Sequence, residues 1–184
     1  VSKSFLIIIA FAFAAAACTP SSAPTPFREG TSVIAIGDSI MVAATDNLTA
    51  TVEGIVINAE EGRPFDEATP TLAYELAANG TPDILVIALG TNAGASGSQI
   101  DQVMEIADGI DRVIFVNVRV PRPWESSTNL AIAEAAMRYD NIEVVDWYAA
   151  SNDNDGLFRK DGYHPNKVGS ELWSNLIAVQ IKNP

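Results

Sequence analysis

This chain of 184 residues has one cysteine, Cys18, and one histidine, His164. A single cysteine excludes a disulfide framework within the chain. Basic side chains are scarce as well: 11 Lys and Arg face 23 Asp and Glu, a net charge of −12. A nucleic-acid binder must present a cationic face to phosphate, so this balance argues against polynucleotide partners. Long apolar runs are also missing. The longest, Phe5 to Ala17, has 13 residues, whereas a permanent membrane span needs roughly 20. What is present, 48% apolar and 18% charged residues, is the composition of an ordinary folded domain.

Lys3, the apolar run and the small residues Ala15-Ala16-Ala17 before Cys18 form an export signal, residues 1–17. The junction resembles the lipobox of bacterial lipoproteins, which implies diacylation of Cys18 and an anchor on the cell membrane, facing out of the cytoplasm. Ala15 stands where lipoboxes usually carry Leu, and a plain secretory signal is the alternative. Residues 18–30 begin Cys18-Thr19-Pro20-Ser21-Ser22-Ala23-Pro24-Thr25-Pro26 and read as an extended tether. Residues 31–184 are enough for one core, hence one monomeric domain.

Within that domain short apolar runs alternate with segments of helical period. Strands are predicted at Val33–Ile36, Ile55–Asn58, Ile84–Leu89, Val113–Val118 and Glu143–Asp146. Helices are predicted at Ile40–Thr49, Asp66–Ala78, Gln99–Ala107, Asn129–Arg138 and Val168–Ile181. The alternation is the signature of a three-layer α/β/α doubly wound fold around five parallel strands. Ligands of such sheets bind beyond the carboxyl ends of the strands, where the strand order reverses. Ser39, Gly62, Asn92 and His164 all follow predicted strands and should share that edge.

A serine hydroxyl is a weak nucleophile unless an imidazole takes its proton and a carboxylate fixes the imidazole tautomer. His164 is the one available imidazole, and Asp161 precedes it by three residues. Ser39 sits between a strand and a helix, where helix-end amides favour developing negative charge. Asp38 beside it should turn away and accept hydrogen bonds from backbone amides. Asp146, Asp153 and Asp155 lie near the same edge without the spacing of a calcium loop, so no metal is assigned, and no cofactor.

Gly37-Asp38-Ser39, Gly62, Gly90-Thr91-Asn92 and Asp161-Gly162-Tyr163-His164, in this order, resemble the blocks of the SGNH hydrolase family, also called GDSL esterases/lipases. The resemblance implies the flavodoxin-like strand order 2-1-3-4-5 and a Ser39-His164-Asp161 triad. It also implies an oxyanion hole made by the Ser39 amide, the Gly62 amide and the Asn92 side chain.

Asn58-Ala59-Glu60-Glu61-Gly62-Arg63, Pro121-Arg122-Pro123-Trp124, Val145-Asp146-Trp147-Tyr148 and Asp161-Gly162-Tyr163-His164-Pro165 resemble, more narrowly, the extracellular SGNH domains attached to membrane acyltransferases that O-acetylate cell-wall polysaccharides. Asn58, where relatives often have an acid, and Pro165-Asn166 depart from that pattern. The expected activity is hydrolysis of small acyl esters, acetyl above all, on a carbohydrate or similar substrate. One alternative is transfer of acetyl to a cell-wall sugar hydroxyl with a separate membrane donor protein; another is a non-catalytic carbohydrate-binding module on the same fold. Arg63 and Trp124 are expected to line the acceptor groove, with Trp124 as a sugar-stacking platform; a core tryptophan is the other reading.

Overall fold

Three apolar runs, Val33–Gly37 (β1), Ile84–Ala88 (β3) and Arg112–Val116 (β4), are buried at every position, as strands covered on both faces must be. A computed structural model, which describes residues 30–182, adds the shorter strands Val56–Ala59 (β2) and Ile142–Val145 (β5). The helices are Ser39–Thr51 (α1), Ala68–Asn79 (α2), Gly97–Ile106 (α3), Glu125–Arg138 (α4), Trp147–Ser151 (α5) and Lys167–Lys182 (α6). The leader, Cys18 and the tether up to residue 29 lie outside the described residues.

All strand pairs are parallel and the sheet order is β2-β1-β3-β4-β5. This is the expected five-stranded doubly wound sheet, with the order reversing at β1 and β3. Residues alternate between its two faces. Val33 and Ala35 of β1 join Met41 and Leu48 of α1 and Trp173 and Ile177 of α6 in one core. Ile34 and Ile36 face the other, with Leu72 of α2, Ile100 and Val103 of α3 and Ile132 of α4. No helix among the described residues is long and apolar enough to cross a membrane.

Two departures from the predicted elements have local causes. Strand β5 ends at Val145, one residue before the predicted end, because the Asp146 carboxylate accepts from the Ala149 amide at 2.9 Å and starts α5. Asn117, at the end of β4, secures this change of direction by donating to Asp146 and accepting from the Tyr148 amide. Helix α4 begins at Glu125, four residues before the predicted start, in a first turn too polar to show apolar spacing.

The edge of the sheet away from the site is fastened by an ion pair. Arg112 of β4 is buried, donates to Glu143 of β5, and donates to the last carbonyls of α6, Ile181 at 3.0 Å and Gln180 at 2.7 Å. A cation at a helix C-terminus is favoured by the carbonyl dipoles. Partial burial raises the Glu143 carboxyl, but its bonds from Arg112 and Gln180 outweigh that and hold it below its ordinary value. A carboxyl with a depressed folded-state pKa stabilises the fold above the unfolded-state value, about 4.3 for Glu, and the contribution is lost as pH falls through the folded-state value. Glu143→Gln is expected to lower the unfolding free energy by about 2 kcal/mol at neutral pH. Urea denaturation of both proteins across pH should show this difference shrinking below a pH of about 4.

Candidate active site

The end of β1 leaves no room for a side chain. A Cβ on Gly37 would lie 2.5 Å from Cβ and 2.7 Å from Sδ of Met41, so only glycine lets α1 turn back this closely against the strand. Asp38 caps the helix: one carboxylate oxygen accepts from the Ile40 amide at 3.0 Å, the other from the Thr91 amide at 3.3 Å. Asp38 is fully buried and turned toward amides, as expected. Burial raises its carboxyl above the ordinary range, with the amides of Ile40 and Thr91 acting the other way. Ser39 is then the first residue of α1, nearly buried, its Oγ 2.9 Å from His164 Nε2.

His164 arrives on the loop between α5 and α6, and Asp161 shapes that loop. Asp161 Oδ1 accepts from the amides of Tyr163 at 3.1 Å and His164 at 3.0 Å, while Oδ2 lies 3.0 Å from His164 Nδ1. A carboxylate can only accept there, so Nδ1 carries the proton and Nε2 turns its lone pair to Ser39 Oγ. Desolvation raises the Asp161 carboxyl, and the two amides and the imidazole together overcome this and hold it below its usual value. It therefore stays charged opposite the ring.

The rest of the loop is braced from several sides. Arg119, just past β4, donates to the Gly162 carbonyl and stacks 4.5 Å over the Phe158 ring. The Arg159 amide donates to the His164 carbonyl at 2.8 Å. Asn166 accepts from the amides of Val168 and Gly169 at the head of α6 and donates back to the carbonyls of Gly156 and Phe158. The Pro165-Asn166 departure thus forms the seam between the histidine loop and α6.

Ser39, Val42, Gly62, Asn92, Arg159 and His164 line a cavity of about 320 Å³ at the carboxyl edge of the sheet. Gly62 has φ +81°, a conformation that side chains disfavour and that sets the direction of its amide. Asn92 Nδ2 donates one hydrogen to the Arg63 carbonyl at 3.2 Å, and its amide group has a second to give. A further cavity of about 350 Å³ opens on the other side of Asn92, lined by Thr91, Val120, Arg122, Trp124 and Tyr163. Tyr163 packs 4.2 Å from the His164 ring.

Of the two residues expected at an acceptor groove, Trp124 does line this second cavity, half-buried, with Nε1 donating to the Gly90 carbonyl at 3.1 Å. Arg63 does not. Its side chain is 5% exposed and points beneath the site into carbonyl oxygens, because backbone acceptors from neighbouring segments converge there. Arg159, which does line the first cavity, and Arg119 have no signature in the sequence, since arginines in loops carry no periodic signal. Among the described residues no group of His, Cys, Asp and Glu could hold a metal ion.

No protein-family model matches the chain. It is 35% identical over 157 residues to the peptidoglycan O-acetyltransferase OatA of Listeria monocytogenes, covering 85% of this chain and 25% of that protein. With the ordered blocks meeting at one sheet edge, this likeness decides the family. The chain belongs to the SGNH hydrolases.

Solved structures agree on the SGNH fold. The C-terminal catalytic domain of Streptococcus pneumoniae OatA superposes with a TM-score of 0.71 at 20% identity, over 82% of this chain and 93% of that one. A family 3 carbohydrate esterase from Talaromyces cellulolyticus gives 0.63 at 18% identity, over 82% and 96%. The SGNH chain spans about a quarter of the length of the curated relatives it matches.

Proposed function

We propose that this domain is an exported serine enzyme that cleaves small acyl esters, acetyl above all, on a carbohydrate, through an acyl-serine intermediate. The observation that carries the reading is the line from Ser39 Oγ through both nitrogens of His164 to Asp161, with steps of 2.9 and 3.0 Å, facing a cavity walled by Gly62 and Asn92. In this reading Ser39 Oγ attacks the ester carbonyl as its proton moves to His164 Nε2. The carbonyl oxygen becomes an oxyanion held by the amides of Ser39 and Gly62 and the free Asn92 N–H. The C–O bond then breaks, and the leaving alkoxide takes the proton from Nε2. Water repeats the sequence in reverse, with His164 as base, and releases the acid.

Two features support a small acyl group on a sugar. Val42 and Ala43 close one side of the first cavity. Beyond Asn92, the indole, phenol and guanidinium of Trp124, Tyr163 and Arg122 offer the flat apolar and hydrogen-bonding surfaces that suit pyranose rings. A second reading, transfer of the acyl group to a sugar hydroxyl, uses the same intermediate with that hydroxyl in place of water. The 35% identity to an O-acetyltransferase favours it. For such a transfer the acetyl group would come from a membrane donor outside this domain. The leader and Cys18 support delivery to the outer face of the cell membrane on a lipid anchor.

Three outcomes test the reading. With a chromogenic acetyl ester, Ser39→Ala and Asp161→Asn should each lose on the order of 10³-fold or more in kcat; a Ser39→Ala protein with wild-type turnover would exclude the acyl-serine route. Adding a muropeptide or acetyl-free xylan as acceptor and following the products by mass spectrometry separates transfer from hydrolysis, and Trp124→Ala should raise the acceptor KM about fivefold, as the loss of about 1 kcal/mol of ring stacking implies, with little change in hydrolysis. For the anchor, the intact mass of the protein from cell membranes should correspond to a chain starting at a diacylated Cys18; an unmodified N-terminus beyond it excludes lipidation.

A further inference from the structure

We propose that Arg63 is the positioning residue of the oxyanion hole, holding in register the three segments that supply its donors; the inference rests on the acyl-serine reading. Arg63 follows Gly62 directly. Its Nη1 donates to the carbonyls of Gly37 at 3.1 Å and Asn58 at 2.7 Å, and its Nη2 to Asn58 Oδ1 at 2.8 Å and Glu60 Oε2 at 3.3 Å. Its own carbonyl receives the Asn92 side chain. One residue therefore touches the strand end that leads into Ser39, adjoins the glycine donor and orients the asparagine donor.

A guanidinium this deeply buried is an expensive way to fill space. Burial of a charge is unfavourable unless it is fully hydrogen-bonded, and an apolar side chain of similar volume often serves stability as well or better. Here the satisfaction is not complete: Nε is buried without a hydrogen-bond partner, with Glu67 Oε2 3.9 Å from it. The two acids near the guanidinium are 69% and 53% exposed, so these ion pairs contribute little. What the arginine accomplishes is geometric. A planar fork with several fixed donors, pinned by two backbone carbonyls from β1 and β2, cannot shift sideways as a lysine could.

The turn it pins needs such a brace. Residues 60–63 leave the end of β2 and reverse through Gly62 at φ +81°. Apart from the Asn92 bond, the backbone holds this turn weakly: Glu60 N to Gly37 O at 3.2 Å ties it to the end of β1, and Arg63 N to Glu60 O at 3.4 Å closes the turn on itself. An oxyanion donor is useful only when it already points at the developing charge, and a displacement of about 1 Å can cost about 100-fold in rate.

The test compares wild type, Arg63→Gln, Arg63→Lys, Asn92→Ala and the double variant Arg63→Gln with Asn92→Ala, using Ser39→Ala as the control for the underlying reading. Turnover of an acetyl ester is expressed per folded molecule, with folding followed by circular dichroism. Inhibition by a trifluoromethyl ketone, whose adduct carries an oxyanion, is measured beside it. Arg63→Gln is expected to lower kcat about 100-fold with KM within about twofold, and to weaken the ketone in parallel. Arg63→Lys, which keeps the charge but not the fork, should recover part of the loss. In the double variant the two losses should combine to far less than their product, because both act on one donor set.

Wild-type kcat per folded molecule in either folded variant, a ketone affinity unchanged while kcat falls, multiplicative losses, or failure of both Arg63 variants to fold would each overturn the proposal and leave Arg63 a structural residue. If Ser39→Ala keeps full turnover, the acyl-serine reading itself has failed, which is a distinct result.

Discussion

The Asp38 carboxylate is the contact through which the parts of the site are made to agree. It is fully buried, and its two oxygens accept amides from separate segments, Ile40 at the head of α1 and Thr91 on the loop after β3. The first bond sets where α1 begins, and so where Ser39 projects. The second sets the start of the loop that carries Asn92. Burial pushes the carboxyl upward, and the amides offset part of that cost. Ser39 and one wall of the cavity are therefore not positioned separately. Gly37 makes the arrangement sterically possible, because α1 can approach β1 closely only where Met41 meets no side chain.

The parallel sheet does the coarse placement and buried polar groups the fine placement. β1 lies between β2 and β3, so the segments after these three strands leave side by side. Asp38 then joins the first and third of these exits, while Arg63 joins the first and second and holds Asn92 from the third. On the far edge Arg112 and Glu143 secure β4, β5 and the end of α6, and the head of α6 is in turn held by Asn166, beside the histidine loop.

Much of this was legible in the sequence because it rests on local patterns. Buried strands such as Ile84–Ala88 read as unbroken apolar runs, and helices such as Gly97–Ile106 as a periodic apolar stripe. His164 and Asp161 were legible because they share one turn. Arg63 was legible only in part: its place after Gly62 pointed to the acceptor groove, but its burial depends on carbonyls from β1 and β2 that no local pattern links to it. Helix α5, five residues long, is too short to show a period, and its cap Asp146 looked like the end of a strand. Arg119 and Arg159 fall under the same limit as Arg63, since each acts on a loop that only the tertiary fold brings near.

The turn containing Asp161 and His164 has a consequence for assembly. Because one oxygen of Asp161 holds the backbone of that turn and the other faces the imidazole, Asp161 and His164 form a single preset piece within four residues. A line of three side chains has two distances to set, but here local chain geometry already sets one. What the whole fold must deliver is the remaining gap, the 2.9 Å between Nε2 and Ser39 across 125 positions of sequence. Loops elsewhere in the domain can therefore lengthen, shorten or change composition without disturbing the line from Ser39 to Asp161, provided that this one separation is kept.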